Sequence, residues 1–92
     1  MISRKAIREF EASHPDSKPA LDSWYKIAKL ATWENLAETK ADFPAADLVG
    51  RRTVFNEKGN TYRLIARINY KIQKVFVLYI LIHSEYDKGN WK

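Results

Sequence analysis

His83-Ser84-Glu85-Tyr86-Asp87-Lys88, near the end of the chain, gathers the residue types that proton-transfer chemistry needs. An imidazole titrates at about 6.5, so it can take or give a proton at cellular pH. A positioned histidine is worth about 10²–10⁴-fold in rate. Glu85 or Asp87 could orient the ring, Tyr86 offers a phenol for stacking or proton transfer, and Lys88 adds a cation. Upstream, Arg63 and Arg67 stand four residues apart in an alternating segment. On a strand that spacing puts them on one face, with roughly 13 Å between their Cα atoms. Two such guanidinium forks can converge on one phosphate or take two adjacent ones. Each feature has a plainer reading. A lone histidine at a strand end is usually a satisfied structural residue, and arginines on an open sheet discourage edge-to-edge association. The grouping is what raises the functional reading. His14, directly before Pro15, is read as structural.

The residues also limit the chemistry. Two isolated histidines and no cysteine make no metal site, so neither metal nor cofactor is expected. Gly50, Gly59 and Gly89 form no phosphate-cradling loop, and no serine nucleophile elbow is present. RNA offers a reaction that needs neither: its 2′-OH attacks the adjacent phosphorus and leaves a 2′,3′-cyclic phosphate. An enzyme must then move two protons and stabilise charge at phosphorus. His83 could handle a proton, and Arg63 and Arg67 could hold phosphoryl oxygens. Tyr86 or Trp91 could stack a base, worth about 1–3 kcal/mol each. Arg51, Arg52, Lys71, Lys74 and Lys88, with Asn56 and Asp87, complete the candidate RNA contacts.

The charge is unevenly shared. Residues 48–92 carry nine Lys or Arg against three acids, a net of +6, whereas residues 1–47 carry seven against eight. A concentrated positive field points to a polyanionic partner. With a pI near 9.6, nucleic acid, an anionic membrane surface and an acidic protein are all compatible. The 92 residues are expected to form one domain, 1–92, with 46% hydrophobic residues for its core. Arg4, Lys5, Arg8 and Glu9 preclude a signal-peptide apolar region. The longest apolar run, 75–82, is eight residues, far below the ~20 of a membrane helix. A soluble cytoplasmic protein is expected.

The elements that must position these groups change period midway. Ser3 caps a first helix with Ile7 and Phe10 on one side, and His14-Pro15 ends it. Asp16 or Ser17 caps a second, with Leu21, Trp24, Ala28 and Ala31 at helical spacing and Ile27 and Leu30 widening the stripe. Thr32 caps a third, shorter helix carrying Trp33, Leu36, Ala37 and Ala41, which Phe43-Pro44 stops. Beyond Asp47, residues 51–55 read as a strand and 56–60 as a turn. Residues 61–70 alternate, with Tyr62, Leu64, Ala66, Ile68 and Tyr70 on one side. Residues 75–82 are apolar on both faces and read as a central strand. The fold class is therefore α+β, with N-terminal helices on one face of a small antiparallel sheet.

Val54-Phe55-Asn56 with Gly59-Asn60, then Tyr62-Arg63-Leu64-Ile65 with Arg67-Ile68-Asn69-Tyr70, then the His83–Lys88 ending, resemble the HigB toxin family. The opening residues 2–10 and the segment 33–44 resemble it too, so the likeness spans nearly the whole chain. The resemblance implies a type II toxin of the RelE-like superfamily. Such a toxin cleaves mRNA, typically on translating ribosomes, and arrests growth. It also implies a HigA-type helix-turn-helix antitoxin and contact with operator DNA only through it. Arg63, Arg67 and His83 match the family's polar strand positions, Tyr86 and Asp87 its C-terminal motif, and Asn56 its turn asparagine. Two other classes stay open: a non-catalytic RNA- or ribosome-binding module, and a protein whose basic face exists to hold an acidic antitoxin segment.

Overall fold

The computed structural model describes residues 4–57 and 61–89. Three helices precede the sheet: α1 Lys5–Ser13, α2 Lys18–Leu30 and α3 Leu36–Asp42. The expected cap Ser3 lies outside the described residues; Arg4 stands at the N-cap and gives no side-chain hydrogen bond to the helix. Pro15 ends α1 and opens a single 3₁₀ turn, Pro15–Ser17, that leads into α2. Ser17 Oγ donates to the His14 carbonyl at 2.6 Å, and Pro19 is tolerated in the first turn of α2. An ionic cluster ties α1 to α2: Arg4 to Asp22 at 3.2 Å, and Lys18 to Asp22 at 2.8 Å and Glu11 at 3.8 Å. Hydrogen bonds from Lys18 and Glu11 hold the Asp22 carboxyl down at about 2, and burial pushes Glu11 up. The buried stripe of α2 is Leu21, Trp24 and Ala28, narrower than expected. Ile27 is 39% and Leu30 82% exposed, because at about 100° per residue Leu30 falls on the side of α2 opposite Leu21 and Ile27 well off the stripe.

α3 starts later than expected. Asn35, in extended backbone, accepts from Glu38 N–H at 3.0 Å, and Glu38 accepts in return from Glu34 N–H at 3.1 Å. That reciprocal arrangement outcompetes Thr32 as a cap. Trp33 therefore lies before the helix. Its indole N–H donates to Asp42 at 2.8 Å while its ring packs against Phe43 and Phe55.

The sheet has four antiparallel strands in the order β1-β2-β3-β4: Asp47–Val49, Arg52–Glu57, Tyr62–Asn69 and Lys74–Ile82. β1 was invisible to pattern reading, since three residues show no alternation. It is made by the turn at Gly50, whose φ of +62° suits glycine. β2 runs two residues further than expected. Asn56 and Glu57 pair with Arg63 and Tyr62, so neither belongs to the turn. The largest correction concerns β4, which is an edge strand among the described residues and not a central one. α1 packs against one side of it, and the C-terminal helix α4, His83–Lys88, packs on the other side near Leu81, leaving Phe76 and Tyr79 exposed.

The main core lies between helices and sheet, around Ile7, Leu21, Trp24, Phe55 and Leu64. Burying each such side chain stabilises the fold by about 1.5–3 kcal/mol. His14 joins its margin, stacked on Phe10 at 4.2 Å and edge-on to Tyr62. A second, smaller cluster sits on the opposite face: Val54 and Ile65, packed by Val49, Leu81 and Tyr86.

Candidate functional site

The face of the sheet turned away from α1–α3 carries most of the candidate residues, and the register fixes their order. Directly opposite residues share a face. Asn56, Arg63 and Leu81 form one cross-strand row, and Asp47, Val54, Ile65 and Tyr79 the next. Arg67 pairs with Phe76, and Asn69 with Lys74. Arg52, opposite Val49 and one register step past the Thr53–Ala66 pair, completes the row of Arg67. Arg63 and Arg67 thus share the open face, as their spacing predicts.

α4 caps one end of this face. It begins where β4 ends: His83 N–H still donates to the Thr61 carbonyl at 3.2 Å, while Glu85 accepts from Ile82 N–H at 3.1 Å and starts the helix. Gly89, at φ +72°, ends it in the left-handed region. The four-residue spacing brings His83 and Asp87 together on one side of this turn and a half, with Nε2 to the carboxylate at 3.2 Å. Asp87, not Glu85, is therefore the acid beside the imidazole, while Glu85 accepts from Ile82 N–H. Both side chains are more than half exposed, so the pair adds little stability and stays accessible to a ligand.

Tyr86 points the other way, onto the sheet. Its ring joins the Val54–Ile65 cluster and lies 5.0 Å from the Arg63 guanidinium carbon. Arg63 is only 9% exposed. A desolvated cation against a phenol ring is worth about 2 kcal/mol. The contact fastens α4, and with it His83, to β3.

The candidates divide between two ends of the face. His83, Asp87, Tyr86, Arg63 and Asn56 gather at the α4 end. Arg67 and Arg52 lie at the other, about 20 Å of strand from the level of His83. An arginine side chain does not bridge that gap, so Arg67 and His83 cannot converge on one group. Lys74 starts β4 beyond Arg67, and Lys71 lies in the preceding turn, both exposed. Arg51 is exposed in the turn at Gly50, and Lys88 is the last residue of α4. Trp91 lies outside the described residues.

Three residues escaped the sequence reading. Glu57 is buried on the helix-facing side, where burial pushes its carboxyl up to about 7. It looked like a turn residue because Lys58, Gly59 and Asn60 follow it. Phe76 and Tyr79 are 47% and 43% exposed, although they lie in the most apolar run of the chain. Only their register reveals this. Among the described residues, no group of three or more His, Cys, Asp or Glu converges as metal ligands do, and no helix is long and apolar enough to cross a membrane.

Helices on one face of a four-stranded antiparallel sheet, with cations and an imidazole on the other, define a small α+β toxin of RelE-like architecture. Residues 17–89 match the HigB toxin family, the RelE-like toxic component of a toxin-antitoxin system, and the chain belongs to that family. It is 33% identical over 91 residues to the mRNA interferase HigB of Escherichia coli O6:H1 (strain CFT073), covering 96% of this chain and 88% of that one. It is 27% identical over 90 residues to the mRNA interferase toxin HigB of Escherichia coli K12, covering 95% and 86%. The partner that such a toxin implies is an antitoxin.

Proposed function

We propose that this toxin is an mRNA endoribonuclease that blocks translation, with the cut made at the α4 end of the open face. The observation that carries the reading is the His83–Asp87 pair, held over the sheet by the stacking of Tyr86 on Arg63. The names of its relatives as mRNA interferases agree with it. The reaction needs no metal or cofactor. The ribose 2′-oxygen forms a bond to phosphorus and gives up its proton; the bond from phosphorus to the 5′-oxygen breaks, and that oxygen takes a proton. The products are a 2′,3′-cyclic phosphate and a 5′-hydroxyl. His83 moves one of the protons, and Tyr86, packed on Arg63 beneath the same helix, carries the phenol that the family motif offers for stacking or for the second proton. Arg63, fixed under Tyr86, is the standing positive charge for the extra negative charge at phosphorus.

The substrate is mRNA on the translating ribosome, met in the cytoplasm. Arg67, Arg52 and Lys74 hold its backbone away from the cut, and Arg51, Lys71 and Lys88 contribute at the rim. The antitoxin is a HigA-type helix-turn-helix protein, and operator DNA is reached only through it. Primer extension on mRNA after induction tests the activity. New 5′ ends are expected with the parent and none with His83→Ala. Cut ends undiminished in both His83→Ala and Arg63→Ala would overturn the assignment.

A further inference from the structure

On an unbroken strand, residues 76 and 79 would point to opposite faces. In β4 they do not. Ile65 pairs with Tyr79 and Ala66 with Val77, so Leu78 is an extra residue opposite no partner. This bulge shifts the alternation by one. Ile80, Val77 and Val75 stay in the helix-side core, while Tyr79 and Phe76 both come to the open face. Two exposed rings thus sit side by side, about 7 Å apart along the strand. Arg67 is directly opposite Phe76, Arg52 lies one strand further, and Lys74 lies beyond. The acid sharing this face of the sheet is Asp47, in the row of Tyr79 and separated from it by Val54 and Ile65.

We propose that Phe76 and Tyr79 form a base-stacking platform for single-stranded RNA, with Arg67, Arg52 and Lys74 gripping its backbone. This rests on the endoribonuclease reading and deepens it, since it says what holds the strand beyond the cut. Aromatic rings among cations on an open sheet suit RNA because every base has a stacking face, whereas phosphates need only positive charge. A solely electrostatic site would need no exposed rings. A solely apolar protein-docking face would not place arginine directly beside one of them. Because stacking tolerates any base, the platform sets grip and reach and not sequence preference.

The test is a fluorescence titration of the full chain with a 12-nucleotide single-stranded 2′-O-methyl RNA, which cannot be cut, and with the same oligonucleotide carrying abasic sites. Phe76→Leu and Tyr79→Leu keep the strand apolar and remove the stacking faces; unchanged urea midpoints show that the fold is kept. Each is expected to weaken binding of the base-bearing RNA roughly 5- to 100-fold and to leave abasic binding unchanged. Phe76→Tyr and Tyr79→Phe are expected to bind as the parent does. Equal affinity of the Leu variants and the parent for both RNAs would overturn the platform. If those variants instead lost the antitoxin while keeping RNA, the face would be a protein-docking surface, which also overturns it. A parent that binds neither RNA overturns it as well. Primer extension on cellular mRNA then tells whether the endoribonuclease reading survives: cut ends retained would leave that reading standing without the platform.

Discussion

Arg63 and Arg67 share a residue type, a strand and a face, yet their surroundings are opposite. Arg63 is 9% exposed and clamped against Tyr86, whereas Arg67 lies open beside Phe76. The cause is α4, which is only six residues long and covers one end of the face. The covered end holds groups at fixed positions, as bond-making needs. On the proposed function, the open end would offer charge and rings to an RNA chain that must slide in and leave. Identical residues four apart would then serve rate and grip separately.

The largest effect that would break this division belongs to His83. His83→Ala is expected to lower the rate of mRNA cutting by about 10²–10⁴-fold, read by primer extension, with an unchanged urea midpoint because the ring is exposed. If the loss were only a few-fold, the covered end would not be where bonds break. Asp87→Asn keeps the shape and removes the carboxylate that holds the ring. It should move the pH profile of the rate while leaving RNA affinity alone.

Beneath the same end, on the helix side, Glu57 gives a stability test that separates fold from chemistry. Burial raises its carboxyl to about 7 in the folded chain, against 4.5 when unfolded. A group raised on folding costs stability as pH climbs through that window, because the unfolded chain ionises first. The penalty is small near pH 5 and complete above about pH 7, where it reaches about 3 kcal/mol. Glu57→Gln should therefore raise the urea midpoint strongly at pH 8 and weakly at pH 5. An equal gain at both would mean that the carboxyl is not desolvated.

How much of this was legible from sequence depended on what had to be known. Arg63 and Arg67 could be placed on one face because a strand's period is two, and that needs no knowledge of neighbours. The α+β order could be read from the change of period after Asp47. Tyr86 on Arg63 could not, because a contact between β3 and a helix twenty residues later depends on how that helix docks. Strand β4 was misplaced for a related reason: apolar residues on both faces look alike whether strands or helices cover them. Phe76 and Tyr79 were hidden by the bulge at Leu78, a one-residue shift that period reading cannot detect. Glu57 was misread because a turn-rich sequence follows it, while its own pairing with Tyr62 is set from across the sheet.

The smallest effect is the sharpest test of the division, because it applies one conservative change at both ends. Lysine keeps the charge of arginine and loses the flat, stacking fork. At Arg67 charge is what the backbone requires, so Arg67→Lys should change RNA affinity by less than about twofold. Arg67→Ala should lower the salt dependence of log K by about 0.7, the loss of one phosphate contact on a single strand. At Arg63 the fork's contact with Tyr86 is the point, so Arg63→Lys should destabilise by about 1–2 kcal/mol and slow cutting while the salt slope stays that of the parent. Equal tolerance of lysine at both positions would mean that the stack on Tyr86 does not hold α4 in place. His83 would then owe its position to the backbone bond from its N–H to Thr61 and to the packing of Tyr86 on the Val54–Ile65 cluster.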